Sequence, residues 1–400
     1  MMDKIEEVLT RGVEKVYPSK EELEKVLSSG KKIRLYQGFD PTGTQLHIGH
    51  MAGLMKLRQF QKLGHHVIFL IGDGTGQAGD PSGRTAPREN FYSNEELRTN
   101  AKDYVLQASK IVDFEGDNPA EILYNSDWLN KLNLVDILNI AGHFSLQQLE
   151  ERDLFAERKK KGETINMREF FYPFLQGYDS VAMNVDLEIG GSDQMFNMMC
   201  GRQLVKEVQG REKFVLTTPL LSDSQGNKIG KSEGNVIALT ALANDFYGMI
   251  MSAGDDLIIK LFTCLTAVPL EEIEEMEKQI KSGENPMIFK KKLAFTLTEM
   301  LNDKNSAQEA QEEFEKIFQK REAPEDNILN FETTKTKMNI IDLLTESNLA
   351  PSRSEAKRLI EQKAVDIDNK VVDNVREEIR LQNGMIVKVG KRKFSKIMLK

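Results

Sequence analysis

Cysteine is almost absent from this chain: Cys200 and Cys264 are its only two. They stand far apart in apolar surroundings, which suits reduced thiols in a cytoplasm better than a disulfide framework. There are five histidines and no Cys-x-x-Cys pair, so no structural metal is expected. No apolar run approaches the ~20 residues that a bilayer-crossing helix needs, and no membrane partner is expected. The opening residues Met1-Met2-Asp3-Lys4-Ile5-Glu6-Glu7 are charged and lack the apolar stretch of a secretion signal. What is present is the balance of a globular protein with a real core, 40% hydrophobic and 29% charged. Its 400 residues suggest two or three domains at ~100–200 residues each.

Positive charge is in deficit, with a net charge of −8, but the deficit is uneven. Lys335–Lys400 holds 15 Lys and Arg against 9 Asp and Glu, a net of +6, which leaves −14 on the preceding residues. Such a split is either chance variation between domains or the mark of a basic end that meets nucleic acid.

The first half alternates strand and helix signals. Lys32–Phe39 reads as a strand. Met51–Leu63 reads as a helix, with Leu54, Leu57 and Phe60 apolar and Gly64 as its stop. Val67–Ile71 is an uninterrupted apolar run, as in a strand buried on both faces. Strand, helix, strand within ~40 residues is a βαβ unit and implies a parallel sheet. Asp127–Glu163 reads as helical, ending in the charged run Glu157–Lys161. Asn244–Gln319 is helical again, and Lys320–Lys337 reads as a polar linker containing Pro324. Beyond it come a helix near Ser354–Ile360, a hairpin about Asp368-Asn369, and strands at Met385–Val389 and Phe394–Leu399.

Five constellations carry chemistry. Gly38-Phe39-Asp40-Pro41-Thr42-Gly43 leads through a turn to Leu46-His47-Ile48-Gly49-His50 at a helix start. Free N–H groups there attract an anion, and two imidazoles could add donors to a phosphate; the alternative is a polar helix start with chance histidines. Next, Gly74-Thr75-Gly76-Gln77-Ala78-Gly79 formally matches the dinucleotide fingerprint. Asp80-Pro81-Ser82-Gly83 breaks any following helix, so the match fails on context. What remains is a loop bearing Asp80, a carboxylate suited to an ammonium group. Third, Tyr172, Gln176 and Asp179 form one polar stripe if helical, facing either solvent or a pocket, and Pro173 marks the start of that helix. Fourth, Gly190-Gly191-Ser192-Asp193-Gln194 ends a strand, and Asp193 could bind ribose hydroxyls. Last, Lys228-Ile229-Gly230-Lys231-Ser232 sits in a polar loop, either a mobile polyphosphate clamp or an ordinary solvated loop.

Taken together, these residues resemble the bacterial tyrosyl-tRNA synthetases, a family of class I aminoacyl-tRNA synthetases. His47-Ile48-Gly49-His50 reproduces the HIGH motif letter for letter. Lys228-Ile229-Gly230-Lys231-Ser232 resembles KMSKS, with Ile229 and Gly230 in place of Met and Ser and both lysines kept. Gly79–Gly83, Leu175–Asp179 and Gly190–Gln194 resemble the tyrosine subgroup, and the last ~65 residues an S4-type RNA-binding fold; five motifs in order span essentially the whole chain.

The resemblance implies an α/β fold. A Rossmann-like parallel-sheet catalytic domain would fill residues 1–240, with a helical insertion at about 127–163. An α-helical anticodon-binding domain would follow at 241–321, then a linker at 322–336 and a small α+β S4-like domain at 337–400. It implies that Tyr36 and Asp179 hydrogen-bond the phenol of tyrosine, that Asp80, Tyr172 and Gln176 hold its ammonium, and that Gln194 lies near its carboxylate. Asp40, Gly49, Gly191 and Asp193 would bind the adenosine part of ATP. His47, His50, Lys228, Lys231 and Ser232 would act on the phosphates, Lys231 belonging also to the ATP site. Arg84 and Arg88 would touch pyrophosphate or the tRNA end. The partners implied are tyrosine, ATP with Mg2+, tRNA(Tyr) and a second copy of the chain, in the cytoplasm. A tryptophan-specific relative would not need the Tyr36–Asp179 hydroxyl pair. A non-catalytic RNA-binding relative would not need to keep every motif lysine and histidine.

Overall fold

The computed structural model describes residues 4–82, 91–150, 153–222, 229, 237–316, 328–368, 370–390 and 393–399. The chain divides into two compact units, Met1–Lys304 and Asn305–Lys400.

The first unit is built on six strands: β1 Lys15–Tyr17, β2 Arg34–Phe39, β3 His66–Ile71, β4 Glu121–Tyr124, β5 Leu187–Gly191 and β6 Phe214–Thr218. Their order across the sheet is β1-β6-β5-β2-β3-β4. All neighbours are parallel except the edge strand β1, which runs antiparallel to β6. The apolar run in β3 lies in the middle, with Val67–Ile71 all buried. The chain lays down β2, β3 and β4 in one direction, then returns to place β5 on the other side of β2. Strand order therefore reverses between β2 and β5, which opens a crevice at their carboxyl ends.

Helices cover both faces. Ile48–Lys62 is capped by His47 and stopped at Gly64, whose φ of +85° suits glycine. Met167–Ala182 starts at Asn166, whose side chain accepts from Arg168 N while Glu169 reaches back to the cap. Pro173 thus lies inside this helix and does not begin it, contrary to the sequence expectation. The capping box outweighs the proline, because Tyr172, Pro173 and Phe174 are buried and packing holds the helix through the missing N–H. The insertion comprises four short helices, Ser126–Leu129, Leu134–Ala141, Leu146–Glu150 and Asp153–Lys160. Ala243–Met251, Ile258–Leu265, Leu270–Lys281 and Pro286–Leu301 form a helical cluster around Phe246, Tyr247, Phe262, Leu293 and Leu297.

The second unit begins with most of the helix Lys304–Phe314. It holds β7 Ile328–Thr333, β8 Lys337–Asn339, β9 Val365–Ile367, β10 Lys370–Val371, β11 Glu378–Arg380, β12 Ile386–Val389 and β13 Lys393–Leu399. Five strands run in the order β10-β9-β12-β13-β7, and β11 pairs with β8. Helices Ile340–Glu346 and Arg353–Glu361 contribute Leu343, Leu344 and Ile360 to a core with Val365, Val387 and Ile397. The segment 322–336 is not wholly a linker: β7 lies within it and pairs in parallel with β13 from Ile328↔Phe394 to Thr333↔Leu399. Its six residues are too few to show a period against polar flanks, and the partner strand lies at the other end of the unit.

Candidate active site

The crevice between β2 and β5 is a cleft of about 420 Å3. Its walls bring together Tyr36, Asp40, His47, Gly49, His50, Asp80, Tyr172, Gln176, Asp179, Gly191, Asp193 and Gln194, residues that the sequence spreads over 159 positions.

His47 and His50 lie together at the helix start, with ring centroids 3.9 Å apart. His47 Nδ1 accepts from Gly49 N at 3.1 Å, and His50 Nδ1 accepts from His47 N at 3.1 Å. With Nδ1 an acceptor in both rings, the neutral tautomer carries its proton on Nε2. Both histidines are thus set as donors by the cap itself. A side chain on Gly49 would meet the His47 ring, its Cβ 2.8 Å from Cε1. The cap is pinned from the far side as well. Ile48 N donates to Ile237 O at 2.9 Å and Leu239 N to Leu46 O at 2.9 Å. Ile229 lines the cleft, and its N–H donates to Leu221 O at 2.7 Å. Lys228, Lys231, Ser232, Arg84 and Arg88 lie outside the described residues. Leu221, earlier in the chain, lines the cleft, and Ile237, later in the chain, bonds to the histidine cap.

The deep end is closed by the polar stripe of the Met167–Ala182 helix, which faces inward. Asp179 is 1% exposed. Its Oδ1 accepts from Trp128 Nε1 at 2.8 Å and its Oδ2 from Asn125 Nδ2 at 3.0 Å. Burial pushes this carboxyl well above the ordinary carboxylate range, while the two donors oppose the rise. Tyr36 lines the cleft too, fully buried, with its hydroxyl 2.9 Å from Ser180 Oγ. Burial, reinforced by the carboxylates of Glu188 and Asp179, raises the Tyr36 phenol and keeps it protonated.

A second group lies beside it. Tyr172 donates to Asp40 Oδ2 at 2.9 Å, and Thr75 Oγ1 donates to Asp40 Oδ1 at 2.7 Å. Burial, then Asp40 and Asp80, hold the Tyr172 phenol protonated as well. Asp80 accepts from Ser82 N at 2.8 Å and from Gln194 Nε2 at 2.8 Å. Gln176 Nε2 donates to Glu188 Oε1 at 3.0 Å, and its own Oε1 is buried with no partner among the described residues. Carboxylates and an unused amide oxygen converge here, a set that favours a cation with several N–H groups. Gly191 and Asp193 lie where β5 runs into the turn Ser192–Gln194, and a Cβ on Gly191 would stand 2.7 Å from Asp193 Oδ1.

Sequence reasoning missed several contributors. Asn125 is buried, and its Oδ1 accepts from Gly74 N at 2.7 Å, so it ties the glycine loop to Asp179. Asp73, fully buried, accepts from Arg98 Nε at 2.8 Å and Ser126 N at 2.9 Å, which holds the loop carrying Asp80. Gln37 lines the cleft with its Oε1 buried and without a partner among the described residues. Glu188 and Lys213 form a buried ion pair under the deep end. Burial pulls the Lys213 ammonium below its ordinary value, with Glu188 opposing. An acid inside the apolar strand Leu187-Glu188-Ile189 was the available signal. Among the described residues, no group of three or more His, Cys, Asp and Glu is arranged to hold a metal.

Residues 28–319 match the family described as tRNA synthetases class I (W and Y), and residues 320–397 match the tyrosine–tRNA ligase SYY-like C-terminal domain. The tyrosine–tRNA ligase of Dehalococcoides mccartyi strain CBDB1 is 40% identical over 98% of both chains. The chain belongs to the tyrosyl-tRNA synthetase family. The Thermotoga maritima tyrosine–tRNA ligase is also 40% identical, over 98% of this chain and 96% of its own. Among solved tyrosyl-tRNA synthetases, a C-terminally truncated mitochondrial enzyme from Coccidioides posadasii aligns with a TM-score of 0.62 at 26% identity, covering 78% of this chain and 92% of its own. The Archaeoglobus fulgidus tyrosyl-tRNA synthetase, solved with L-tyrosine, shares the fold with a TM-score of 0.62 at 22% identity, covering 77% of this chain and all of its own.

Proposed function

We propose that this cleft activates tyrosine and that the chain is a tyrosine–tRNA ligase. The carboxylate of tyrosine attacks the α-phosphorus of ATP, which enters as its Mg2+ complex, and pyrophosphate leaves. A terminal ribose hydroxyl of tRNA(Tyr) then attacks the mixed anhydride. No protein nucleophile is needed, and catalysis is positioning plus stabilisation of developing charge. The observation that carries the reading is the buried polar end of the cleft, lined by Tyr36 and by Asp179, with Asp179 held by Asn125 and Trp128. Phenylalanine would leave these groups unpaired, the kind of discrimination for which tyrosyl-tRNA synthetases are themselves the general example.

We assign the ammonium of tyrosine to Asp80, Tyr172 and Gln176, the neighbourhood of its carboxylate to Gln194, and adenosine to Asp40, Gly49, Gly191 and Asp193. His47, His50, Lys228, Lys231 and Ser232 act at the phosphates, and Arg84 and Arg88 at pyrophosphate or the tRNA end. Residues 241–321 serve the anticodon, and the second unit binds tRNA. The test is ATP–pyrophosphate exchange with each of the twenty amino acids in turn. Exchange with tyrosine is expected; exchange with tryptophan and not tyrosine overturns the reading.

The chain acts as a cytoplasmic homodimer in this proposal. Leu134, Val135, Leu138 and Leu146 are 59–70% exposed on consecutive short helices, an apolar surface that a second copy would cover. Among the described residues, no helix is long and apolar enough to cross a membrane. Light scattering at micromolar concentration should give a dimer mass of 90.8 kDa, twice the 45.4 kDa chain; a monomer mass removes the claim.

A further inference from the structure

Residues 40–46 join β2 to the histidine helix and belong to neither element. Their backbone groups must still find partners. Several are met by one face of the helix Asn94–Ala108. Asn100, Tyr104 and Gln107 are four and three residues apart, so they share that face. Asn100 Nδ2 donates to Pro41 O at 2.9 Å. Tyr104 is buried and lines the cleft. Gln107 is 4% exposed and spends both ends of its amide on the loop. Its Oε1 accepts from Leu46 N at 2.7 Å, and its Nε2 donates to Thr44 O at 2.8 Å.

The helix also buries Leu97, Ala101 and Ala108. An apolar side chain at 107 would fill the same space without the cost of burying an amide. The amide is matched instead to two backbone groups that bracket Gln45 and end at Leu46, the residue before the cap. Leu46 is fully buried, and its carbonyl accepts from Leu239 N at 2.9 Å. Lys110, two residues past the helix, donates in turn to Leu239 O at 3.3 Å. Ala238, between Ile237 and Leu239, bridges to His47. The start of the histidine helix is thus gripped by Gln107 and by residues 237–239, and residues 94–110 bond to both the loop and that segment.

We infer that Gln107 and, more weakly, Asn100 are positioning residues for the histidine pair: they fix the backbone from which His47 and His50 are aimed, and so act on the chemical step through them. This rests on the proposal that the two histidines act at the phosphates when tyrosine is activated. A misplacement of about 1 Å can cost a reaction about a hundredfold in rate.

The experiment is pre-steady-state formation of tyrosyl-adenylate by the full-length chain, with thermal midpoints measured alongside. Gln107→Met keeps the length of the side chain and loses both bonds. It should lower the rate of adenylate formation by about ten- to hundredfold. The dissociation constant for tyrosine should hold, and that for ATP should move by less than the rate. In a His47→Ala/His50→Ala background the same change should cost little more, since effects that pass through shared residues do not add. An equal loss in both backgrounds would show that the amide acts on the fold at large, and the inference would be overturned. A wild-type rate with a lowered thermal midpoint overturns it too, as does a weaker ATP complex with an unchanged rate. If Gln107→Met does not fold, Asn100→Ala decides. It should lower the same rate by a smaller factor, and a rate equal to wild type overturns the inference. A wild-type chain that forms adenylate with another amino acid and not with tyrosine overturns the tyrosine reading alone; the Gln107 comparison then stands or falls on that amino acid.

Discussion

Asp179 shows how much one carboxylate can be asked to do. It is buried, accepts from two fixed donors and faces the end of the cleft assigned to the phenol. Asp179→Ala should remove a charged hydrogen bond to the ligand, about 1.5–3 kcal/mol. That is roughly a ten- to hundredfold loss in kcat/KM for tyrosine. ATP affinity should change little, because Asp179 is assigned to the phenol of tyrosine and not to the nucleotide. Unchanged tyrosine kinetics would detach the residue from recognition. The same burial has a cost that depends on pH. The folded carboxyl is raised above its unfolded value, so the folded state holds this proton more tightly. Its contribution to stability is full below the unfolded carboxylate range and declines as pH rises toward the folded value. The alanine variant is free of that decline. Relative to wild type, its unfolding free energy in urea should improve from about pH 4 to about pH 7. A difference that is flat across this range would show that Asn125 and Trp128 already offset the burial.

At the scale of elements, legibility followed locality. The strand Arg34–Phe39, the helix from Ile48 and the strand His66–Ile71 were readable because each has its own period and stop. The histidine start was readable as a site because its residues are adjacent in sequence. Glu188, Lys213, Asn125 and Asp73 were not, because their meaning depends on partners brought together by parallel strand pairing. Strand β7 was hidden for the same reason, and Pro173 misled because a cap seven residues upstream was the stronger signal. The lysine segment is the case where sequence leads. Ile229, between Lys228 and Gly230, lines the cleft, and Ile237–Leu239 bonds to the histidine cap. Under the proposed function, both lysines act at the phosphates. Only interactions stronger in the transition state accelerate the step. Lys228→Ala or Lys231→Ala should lower kcat for adenylate formation by roughly 10²–10³, the scale of losing one aimed donor. The KM for tyrosine should hold, and the two effects should not add. Pre-steady-state adenylate formation decides: a weaker ATP complex with an unchanged chemical rate would reduce the segment to a nucleotide-binding loop.

Across the whole molecule, an acidic body precedes a basic end, −14 against +6 about Lys335. Two polyanions are handled, ATP and tRNA, and the uneven charge suggests a division of labour. Where the chain is cut matters for testing it. A break after Thr334 would keep β7 and delete β13, its parallel partner over six residue pairs. The body would then carry an unpaired strand, a template for aggregation. A stop after Gln319 falls between the helix Lys304–Phe314 and β7 and avoids this. The cleft lies wholly in Met1–Lys304, so the shortened chain should form tyrosyl-adenylate at the full-length rate. Charging of tRNA should fall, with the KM for tRNA rising by about tenfold or more as phosphate contacts are lost. Released counterions are the source of salt dependence in such contacts. The full-length enzyme should therefore lose tRNA affinity steeply as salt is raised, and the shortened one should respond less. Equal charging by both forms at moderate salt, with equal salt slopes, would show that the basic end does not anchor tRNA and that its charge serves something else.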